Sequence, residues 1–466
     1  MESIPGQDRQ PPRRRLKVKS AAHLVEELGQ YITQVTRELL EAERPSSLTE
    51  MERGIRALLL EQGRLLLKSW LAVLEDPYPP ESVPCPCGGQ AQYQFQREAT
   101  LLTIFDQITY RRAYYLCPEC HQGLYPLDQE LGLRPGRMSA ELESLAGMTG
   151  SQLPFGQGSD LFEALTLISL SDHSLAKATQ DIGTEVQVQE QAWIAQSRDE
   201  DWLQEQQRLA EGPERLYGSL DAVKVHVRGD KEHPWRDLKT GAWFTTTQEP
   251  PQSPDADWEI HATDITYYCD ICQARPFGDL LWATGCQHHA QFAQELIFLG
   301  DGAEWIWNLV QEHYPEAIQI VDWFHATEYI APVAHALFAN EEQRKAWIKY
   351  VRTALWEGDL DTVIQTFKRY TKHKQAAEAA SKAFTYFTNN RHRMRYPEYR
   401  AKEYQIGSGT IESGCKRIGT QRLKVAGAIW NLDNAIKTAK ARAALPSGQW
   451  QTITARRQHL PLPKTA

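Results

Sequence analysis

Three acidic residues occupy positions where a carboxylate could do chemistry. Asp221 interrupts residues 220–223, which otherwise read as a buried strand, and an ionised group there is costly unless something pairs with it. Asp301 ends an apolar strand and has a glycine on each side, at the sheet edge where α/β folds commonly place their sites. Glu412 lies in residues 407–416, where a glycine-rich turn opens a helix and projects the carboxylate from its first turn.

Carboxylates from two strands and one helix predict a site for Mg²⁺ or Mn²⁺, and two such ions support phosphodiester chemistry. Each carboxylate alone also has an ordinary explanation, as a turn residue or as a partner of the helix dipole. Asp322 ends another apolar strand, and His325 follows three residues later. Because that strand should lie near Asp301, we interpret Asp322 and His325 as groups that support the metal ligands.

Four cysteines in two close pairs form a second candidate site. Cys85 and Cys87 precede a stretch rich in Thr, Tyr, Ile and Phe that reads as a β-hairpin, and Cys117 and Cys120 follow it. Four thiolates at the ends of a hairpin predict a closed tetrahedral zinc site, with unliganded thiols at a turn as the alternative. His121 is adjacent, and we interpret it as a bystander.

The remaining cysteines give weaker signals. Cys269 and Cys272 form another CxxC with Cys286 downstream, which leaves a second zinc site open, but semi-buried thiols explain the pattern more simply. Cys415 is isolated in the sequence and needs no functional account.

The segments that position the carboxylates alternate between strand and helix. Three candidate strands followed by helix, strand, helix and strand indicate an α/β fold, and a long helical stretch comes next. The strands are predicted at 216–227, 239–247, 260–268, 295–299 and 318–321, the helices at 277–291 and 304–313, and the helical stretch at 327–404.

The chain upstream of these strands is mostly helical in pattern. Residues 1–20 read as a disordered basic arm, and two helices follow, the second opened by Ser47 and Glu50 at capping-box spacing. Residues 160–196, with a break at Gly183, would suit a helix-turn-helix that binds DNA. Helices that pack against the larger domain explain the same pattern equally well.

Length and composition indicate the number of domains and exclude a membrane-spanning helix, but they do not specify a function. The 466 residues predict about two to four domains, and no run approaches the roughly 18 apolar residues of a membrane span. The N-terminus has no apolar stretch typical of a secretory signal, so the eight cysteines are interpreted as metal ligands or thiols of a reducing cytoplasm.

The net charge is −9, from 51 Lys and Arg against 60 Asp and Glu, and this average disfavours a nucleic-acid partner. The positive charge is nevertheless concentrated in residues 1–20 and 391–466. The latter segment carries 15 Lys and Arg against four acids and surrounds Glu412. We therefore predict that any nucleic acid lies along this segment.

The order and spacing of these residues resemble the bacterial DDE transposases of the ISKra type, insertion-sequence enzymes related to the Mutator-like transposases. The similarity covers about residues 216–443, and the upstream helices and cysteine pairs are also similar to that family. The matching positions are Asp221, 300–303 with 305–307, Asp322 with His325, 407–409 with 411–413, and 416–430.

The resemblance implies an α/β RNase H-like catalytic core with an all-α insertion, preceded by a helical region and a small β zinc-ribbon-like module. Asp221 would lie on the first strand of the core, Asp301 after the fourth, and Glu412 on a late helix. The expected domains are a basic arm 1–20, a helical region 21–80, a zinc module 81–130, a helix-turn-helix-like DNA-binding region 139–212, the first part of the core 213–331, the insertion 332–403, the final core helix 404–445, and a flexible tail 446–466.

The implied activity is DNA cleavage at the ends of a mobile element, followed by strand transfer into target DNA. Asp221, Asp301 and Glu412 would hold two Mg²⁺ (or Mn²⁺) ions, with Asp322 and His325 in support. The partners would be the element's terminal inverted repeats and target DNA, bound by a homo-oligomer at the nucleoid in the bacterial cytoplasm.

Two other functions stay open. One is a domesticated, sequence-specific DNA-binding protein with an inactive core, and the other is a metal-dependent nuclease that cuts without joining.

The sequence around Glu412 also predicts how DNA is bound. We predict that Lys416, Arg417, Arg422 and Lys424 contact phosphates. Trp430 could stack on an unpaired base, although a core tryptophan is an equal explanation.

Overall fold

The computed structural model describes residues 21–41, 47–75, 79–209, 211–229, 232–249 and 259–458. They belong to two compact units: residues 1–146, 159–171 and 454–466 make up the first, and residues 147–158 and 172–453 the second. The fold is mixed α/β with a majority of helix. The predicted basic arm at 1–20 lies outside the described residues, and among those described no helix has the length and apolar character that a membrane crossing requires.

The first unit joins helices to a small antiparallel sheet of order β1-β2-β3-β4. As predicted, the Ser47 hydroxyl caps the second helix by accepting from the Glu50 N–H at 3.3 Å. The predicted hairpin is also confirmed, since β2 pairs with β3 across a turn in which Asp106 has a positive φ. The elements are α1 Ala21–Glu41, α2 Leu48–Leu74, β1 Ser82–Pro84, β2 Gln90–Thr103, β3 Asp106–Leu116, β4 Gly123–Leu124 and α3 Pro126–Leu131, and two helices, α4 Ala140–Gln152 and α5 Phe155–Thr166, are each divided between the two units.

A buried carboxylate attaches α3 to the hairpin. Asp128 has no exposed surface, forms an ion pair with Arg112, and accepts a hydrogen bond from the Tyr110 hydroxyl at 2.6 Å. The Arg112 guanidinium also lies over the Tyr125 ring, 3.7 Å from its centroid. Paired and hydrogen-bonded in this way, the buried charge fixes one position of α3.

The second unit is built on a five-stranded sheet of order β7-β6-β5-β8-β9. β5, β6 and β7 are antiparallel to one another, whereas β8 is parallel to β5 and β9 is parallel to β8. The strands are β5 Arg215–His226, β6 Trp235–Glu249, β7 Glu259–Asp270, β8 Glu295–Gly300 and β9 Ile318–Val321, which confirms the order of the five predicted strands.

The other elements of the second unit are helices, and the last of them continues into residues 454–458 of the first unit. The predicted helical stretch begins earlier than expected, directly after Asp322. The helices are α6 Asp172–Gln196, α7 Glu200–Leu209, α8 Ala274–Gln287, α9 Glu304–His313, α10 Trp323–Glu328, α11 Ile330–Leu337, α12 Glu341–Trp356, α13 Leu360–Tyr370, α14 Ala377–Asn389, α15 Tyr396–Ala401, α16 Gly409–Cys415, α17 Gln421–Leu423, α18 Leu432–Ala444 and α19 Trp450–Gln458.

The predicted break at Gly183 is wrong, because α6 runs without interruption from Asp172 to Gln196. Gly183 is instead where α6 approaches α18 closely: a Cβ at this position would lie 1.9 Å from the Lys437 carbonyl oxygen. α6 buries Ile182 and Val186 in a cluster shared with α18 and α19. This part of the helix therefore has the packing role that the sequence left as the alternative to DNA binding.

The segment predicted as a flexible tail also differs from expectation. Residues 450–458 form α19, in which Trp450 and Ile453 are 5% and 1% exposed. Burial of two large apolar side chains stabilises a helix that has little amphipathic pattern of its own. Residues 459–466 lie outside the described part of the chain.

A buried ionic cluster ties α6 and α18 to β7. The Lys440 ammonium, 1% exposed, lies 2.5 Å from Glu190 Oε2 and 2.9 Å from Asp270 Oδ2, and donates to the Cys269 carbonyl at 2.7 Å. Each group depends on the others, because a buried charge without a partner is strongly unfavourable.

Replacing Lys440 with Met should therefore lower the free energy of unfolding by about 3–5 kcal/mol, since two carboxylates lose their cation. Lys437→Met, one turn earlier on α18, removes only the more exposed pair with Asp433 and should cost about 0–1 kcal/mol. Chemical denaturation of both variants measures this difference. Equal stabilities of the two variants would contradict the buried cluster's role.

Candidate metal-binding and catalytic site

The pairing of β5 with β8 places Asp221 beside Asp301. The strands are parallel, with Ser219 opposite Leu299, and the Ser219 hydroxyl donates to the Leu299 carbonyl at 2.9 Å. Asp221 comes two residues later on β5, and Asp301 directly follows Gly300, the last residue of β8. The negative charge of Asp301 acts on the Asp221 carboxyl group, so the two side chains lie near each other.

These two carboxylates are partly buried, and their negative charges repel each other. Asp221 accepts from the Ala222 N–H at 2.6 Å, and Asp301 accepts from the Ala303 N–H at 2.8 Å. Burial raises the pKa of Asp221, and the nearby charge of Asp301 raises it further. In the described part of the chain, neither carboxylate has a Lys or Arg ion-pair partner. A divalent cation would relieve this repulsion.

A third carboxylate, Asp322, is fully buried and organises the neighbouring loops. Its Oδ1 accepts from the His325 N–H at 2.6 Å, and the His325 ring Nδ1 lies 3.0 Å from the same oxygen. Its Oδ2 accepts from the Ser408 N–H. Burial alone would raise the pKa of Asp322, but the hydrogen bonds from His325 and Ser408 outweigh burial and lower it.

Glu412 completes this part of the site. It lies in the first turn of α16, and its Oε1 accepts from the Ser408 hydroxyl at 2.7 Å. His325 Nδ1 is 3.8 Å from the same oxygen, and the Asp322 hydrogen bond raises the pKa of His325 to about 9. Ligand atoms of Asp322, His325 and Glu412 all lie within 4.8 Å of one another.

The roles of these three residues nevertheless differ. Asp322 is inaccessible, and both of its oxygens accept backbone N–H groups, so its geometry suits a positioning role. Glu412 has 48% of its side chain exposed, and its Oε1 accepts from a hydroxyl rather than from a backbone N–H. The structure groups Glu412 with Asp322 and His325 and gives no such group of Glu412 with Asp221 and Asp301 among the described residues, so a metal site shared by these three carboxylates stays a prediction.

Two neighbours of the site carry no signal in the sequence. The Tyr386 hydroxyl, on α14, donates to the Asp301 carbonyl at 2.7 Å, and its ring stacks on Tyr329 at 3.9 Å. Cys415, interpreted from sequence as needing no account, is buried against Asp221, and burial raises the pKa of its thiol well above the ordinary value. Tyr386 and Cys415 are each more than 80 residues away in the sequence from the aspartate that they contact. The spacing of residues within a motif cannot predict contacts over such separations.

The cations predicted to contact phosphate fall into two groups. Lys416, Arg417 and Lys424 are exposed. The prediction for Arg422 is wrong, because its side chain is only 3% exposed and donates twice to the Gly150 carbonyl at 3.0 Å. Its guanidinium also lies over the ring of Trp430, 5.1 Å from the centroid.

Trp430 is a core residue rather than a stacking platform. It is 8% exposed, its indole N–H donates to the Leu423 carbonyl at 3.0 Å, and its ring meets Phe155 edge-on. No face of the indole is free for an unpaired base. Trp430 is therefore the core tryptophan that the sequence left open as the alternative.

The four paired cysteines converge at one end of the hairpin. Cys85 Sγ lies 3.5 Å from Cys120 Sγ, Cys87 Sγ lies 3.6 Å from Cys117 Sγ, and all four sulfurs are within 4.8 Å of one another. A tetrahedral zinc ion with bonds of about 2.3 Å separates its sulfurs by about 3.8 Å. The cluster therefore has the dimensions to hold one zinc ion.

Local backbone geometry prepares at least one of these thiols. Backbone N–H groups of Cys120 and then Glu119 donate toward Cys117 and lower the pKa of its thiol to about 7. A thiolate is the form that binds metal. By contrast, Cys269, Cys272 and Cys286 form no comparable cluster among the described residues, and burial raises the pKa of the Cys272 thiol to about 11.

A comparison of the sequence with protein-family models finds no match, and a comparison with curated proteins finds none either.

The purified chain should contain about one zinc ion, and a Cys85→Ser/Cys117→Ser double variant should lose it because two of four thiolates are gone. Elemental analysis after dialysis measures the ratio. Cys272→Ser is the matched control and should keep the full zinc content. Zinc retained by the double variant would contradict the assignment of the ion to this cluster.

Arg422→Ala should lower the free energy of unfolding by about 1–3 kcal/mol, because the Gly150 carbonyl loses its buried donors. Lys424→Ala, two residues away and exposed, should change it by no more than about 0.5 kcal/mol. Thermal and chemical denaturation compare the two. An Arg422 variant as stable as the Lys424 variant would show that the guanidinium is not a structural group.

Proposed function

We propose that the chain is a DNA transposase of the DDE type, which cleaves DNA at the ends of an insertion sequence and joins the freed 3′ ends to target DNA. The position of Asp221 on β5 near Asp301, which follows the adjacent parallel strand β8, supports this function most directly. Two partly buried carboxylates held side by side, with an exposed Glu412 on a helix that packs near them, suit the hard cations used in phosphodiester chemistry.

The topology of the second unit also supports the proposal. The resemblance implies an RNase H-like core in which the first acid lies on the first strand and the second follows the fourth strand. Asp221 lies on β5, the first strand of the sheet along the chain, and Asp301 follows β8, the fourth. The all-α insertion expected at 332–403 would consist of most of α11 and of α12–α15, which precede Glu412.

The residues of the chain would divide the work as follows. Asp221, Asp301 and Glu412 hold the metal ions, while Asp322 positions His325 and the Ser408 loop so that Glu412 stays in place. Two bound Mg²⁺ ions would activate the attacking nucleophile and stabilise charge on the leaving oxygen. Mn²⁺ has similar ligand preferences and would substitute.

Two displacements at phosphorus follow from this arrangement. In the first, a water oxygen bonds to the phosphorus at the element end, the 3′ oxygen leaves as a free 3′-OH, and a proton passes to solvent. In the second, that 3′-OH bonds to a target phosphorus and displaces the 3′ oxygen of the target strand. No covalent bond to the protein forms in either step.

The proposed partners are the terminal inverted repeats of the element and target DNA. Exposed Lys416, Arg417 and Lys424 follow Glu412 directly and would neutralise phosphates, while the cysteine module would hold a structural Zn²⁺. Holding two element ends together calls for at least a dimer of the chain on DNA. The proposed location is the nucleoid of a bacterial cytoplasm.

A strand-transfer assay with a pre-cleaved element end, target plasmid and Mg²⁺ tests the proposal. Wild type should give joined products, and Asp221→Asn should abolish cleavage and joining while it leaves end binding largely intact, because one ligand carboxylate is lost. Asp264→Asn is the matched control and should join normally, because Asp264 is an exposed residue with positive φ inside β7, where the pairing of β7 with β6 shifts register.

The products separate the proposal from its two rivals. Cleavage without joining would identify a nuclease, and binding without either reaction would identify a DNA-binding protein with an inactive core. Full cleavage by Asp221→Asn would show that the carboxylate has no catalytic role.

A further inference from the structure

An open groove of about 390 Å³ runs along α12 in the helical part of the second unit. Its lining combines three cations, Lys345, Lys349 and Arg352, with two indoles, Trp323 and Trp356, and it contains no acidic side chain. A surface of this composition attracts a polyanion that also has flat apolar faces.

The cations form one stripe because of their spacing. Lys345, Lys349, Arg352 and Trp356 follow one another at intervals of four, three and four residues, which places them on one face of the helix. Lys345 pairs with Glu341 at 2.6 Å, whereas Lys349 and Arg352 have no ion-pair partner in the described part of the chain. Neighbouring like charges weaken a helix, so an unneutralised stripe of this kind favours an external anion.

The two indoles at the end of the stripe are held in place. Trp323 and Trp356 meet edge-on with ring centroids 4.9 Å apart. The Arg400 guanidinium lies over Trp356 at 3.8 Å and donates to its carbonyl at 3.0 Å. Trp356 is partly exposed at the groove, whereas Trp323 is only 7% exposed.

The groove adjoins the segment that carries the candidate site. Trp323 directly follows Asp322, and its N–H donates to the Ile406 carbonyl at 2.9 Å, next to the loop that leads to Glu412. Phe324 is 62% exposed, and its ring lies 3.2 Å from where a Cβ on Gly407 would be. Phe324 is therefore an exposed aromatic ring next to the glycine-rich loop, one residue from the groove-lining Trp323.

We propose that the α12 groove binds a single DNA strand, with phosphates on Lys345, Lys349 and Arg352 and a base against Trp356. This proposal rests on the proposed function. It extends that function by adding a strand-binding surface beside the site that would act on the strand. An acidic peptide would satisfy the cations but would leave the aromatic surface without a matching face, so the composition favours nucleic acid.

The test measures how binding of a fluorescent single-stranded oligonucleotide to the full chain depends on salt, by anisotropy. Replacing Lys349 and Arg352 with Ala removes two phosphate contacts and should lower the slope of log affinity against log salt by about 1.4. Lys368→Ala/Arg369→Ala, an equal charge change at the end of α13, is the matched control and should keep the wild-type slope. Circular dichroism and thermal unfolding verify that both variants are folded.

An unchanged slope of log affinity against log salt in the folded Lys349/Arg352 variant would overturn the proposal that this groove binds a DNA strand. Labelled polyglutamate provides a second arm: loss of polyglutamate binding with normal oligonucleotide binding would identify an acidic-peptide surface and also overturn the proposal. The experiment measures binding, so its result is valid whether or not the chain cleaves DNA. Failure of the transposase function registers only in the strand-transfer assay.

Discussion

The buried carboxylate of Asp322 holds three parts of the second unit in one arrangement. It is anchored at the end of β9, where its own N–H donates to the Gly300 carbonyl at 2.8 Å, and it accepts from both His325 and Ser408. A buried charge is stable only when such donors surround it, so the start of α10 and the loop before α16 are held against the sheet. Ser408 then passes this constraint to Glu412 through its hydroxyl.

The sheet supplies the other half of the site by a different physical constraint. Parallel pairing of β5 and β8 leaves one register in which the apolar faces stay buried, and a slip of one residue would turn every side chain to the other face. That register also fixes Asp221 and Asp301 as neighbours. Packing energy of the core is therefore what brings two like charges together, and burial keeps the pKa of Asp221 raised.

The parts of the molecule that the sequence predicts well are those governed by local pattern. The strand order, the hairpin between the cysteine pairs and the cap at Ser47 all follow from periodicity, turn residues and capping chemistry. Gly183 and Arg422 were misjudged because a glycine at a helix crossing looks like a turn, and a buried arginine looks like a surface cation. Only tertiary contacts distinguish these cases, and single-sequence patterns do not contain them.

The central claim is that Asp221, Asp301 and Glu412 share one metal site. Diffraction from crystals soaked in Mn²⁺, with anomalous differences used to locate the ions, tests this claim most directly. Manganese substitutes for magnesium and scatters anomalously, so each bound ion marks its own ligands. We expect peaks in contact with the carboxylates of Asp221 and Asp301 and with Glu412, and no contact with Asp322. A peak held by Asp322, His325 and Glu412 with none at Asp221 and Asp301, or no peak at any of these residues, would contradict the shared site.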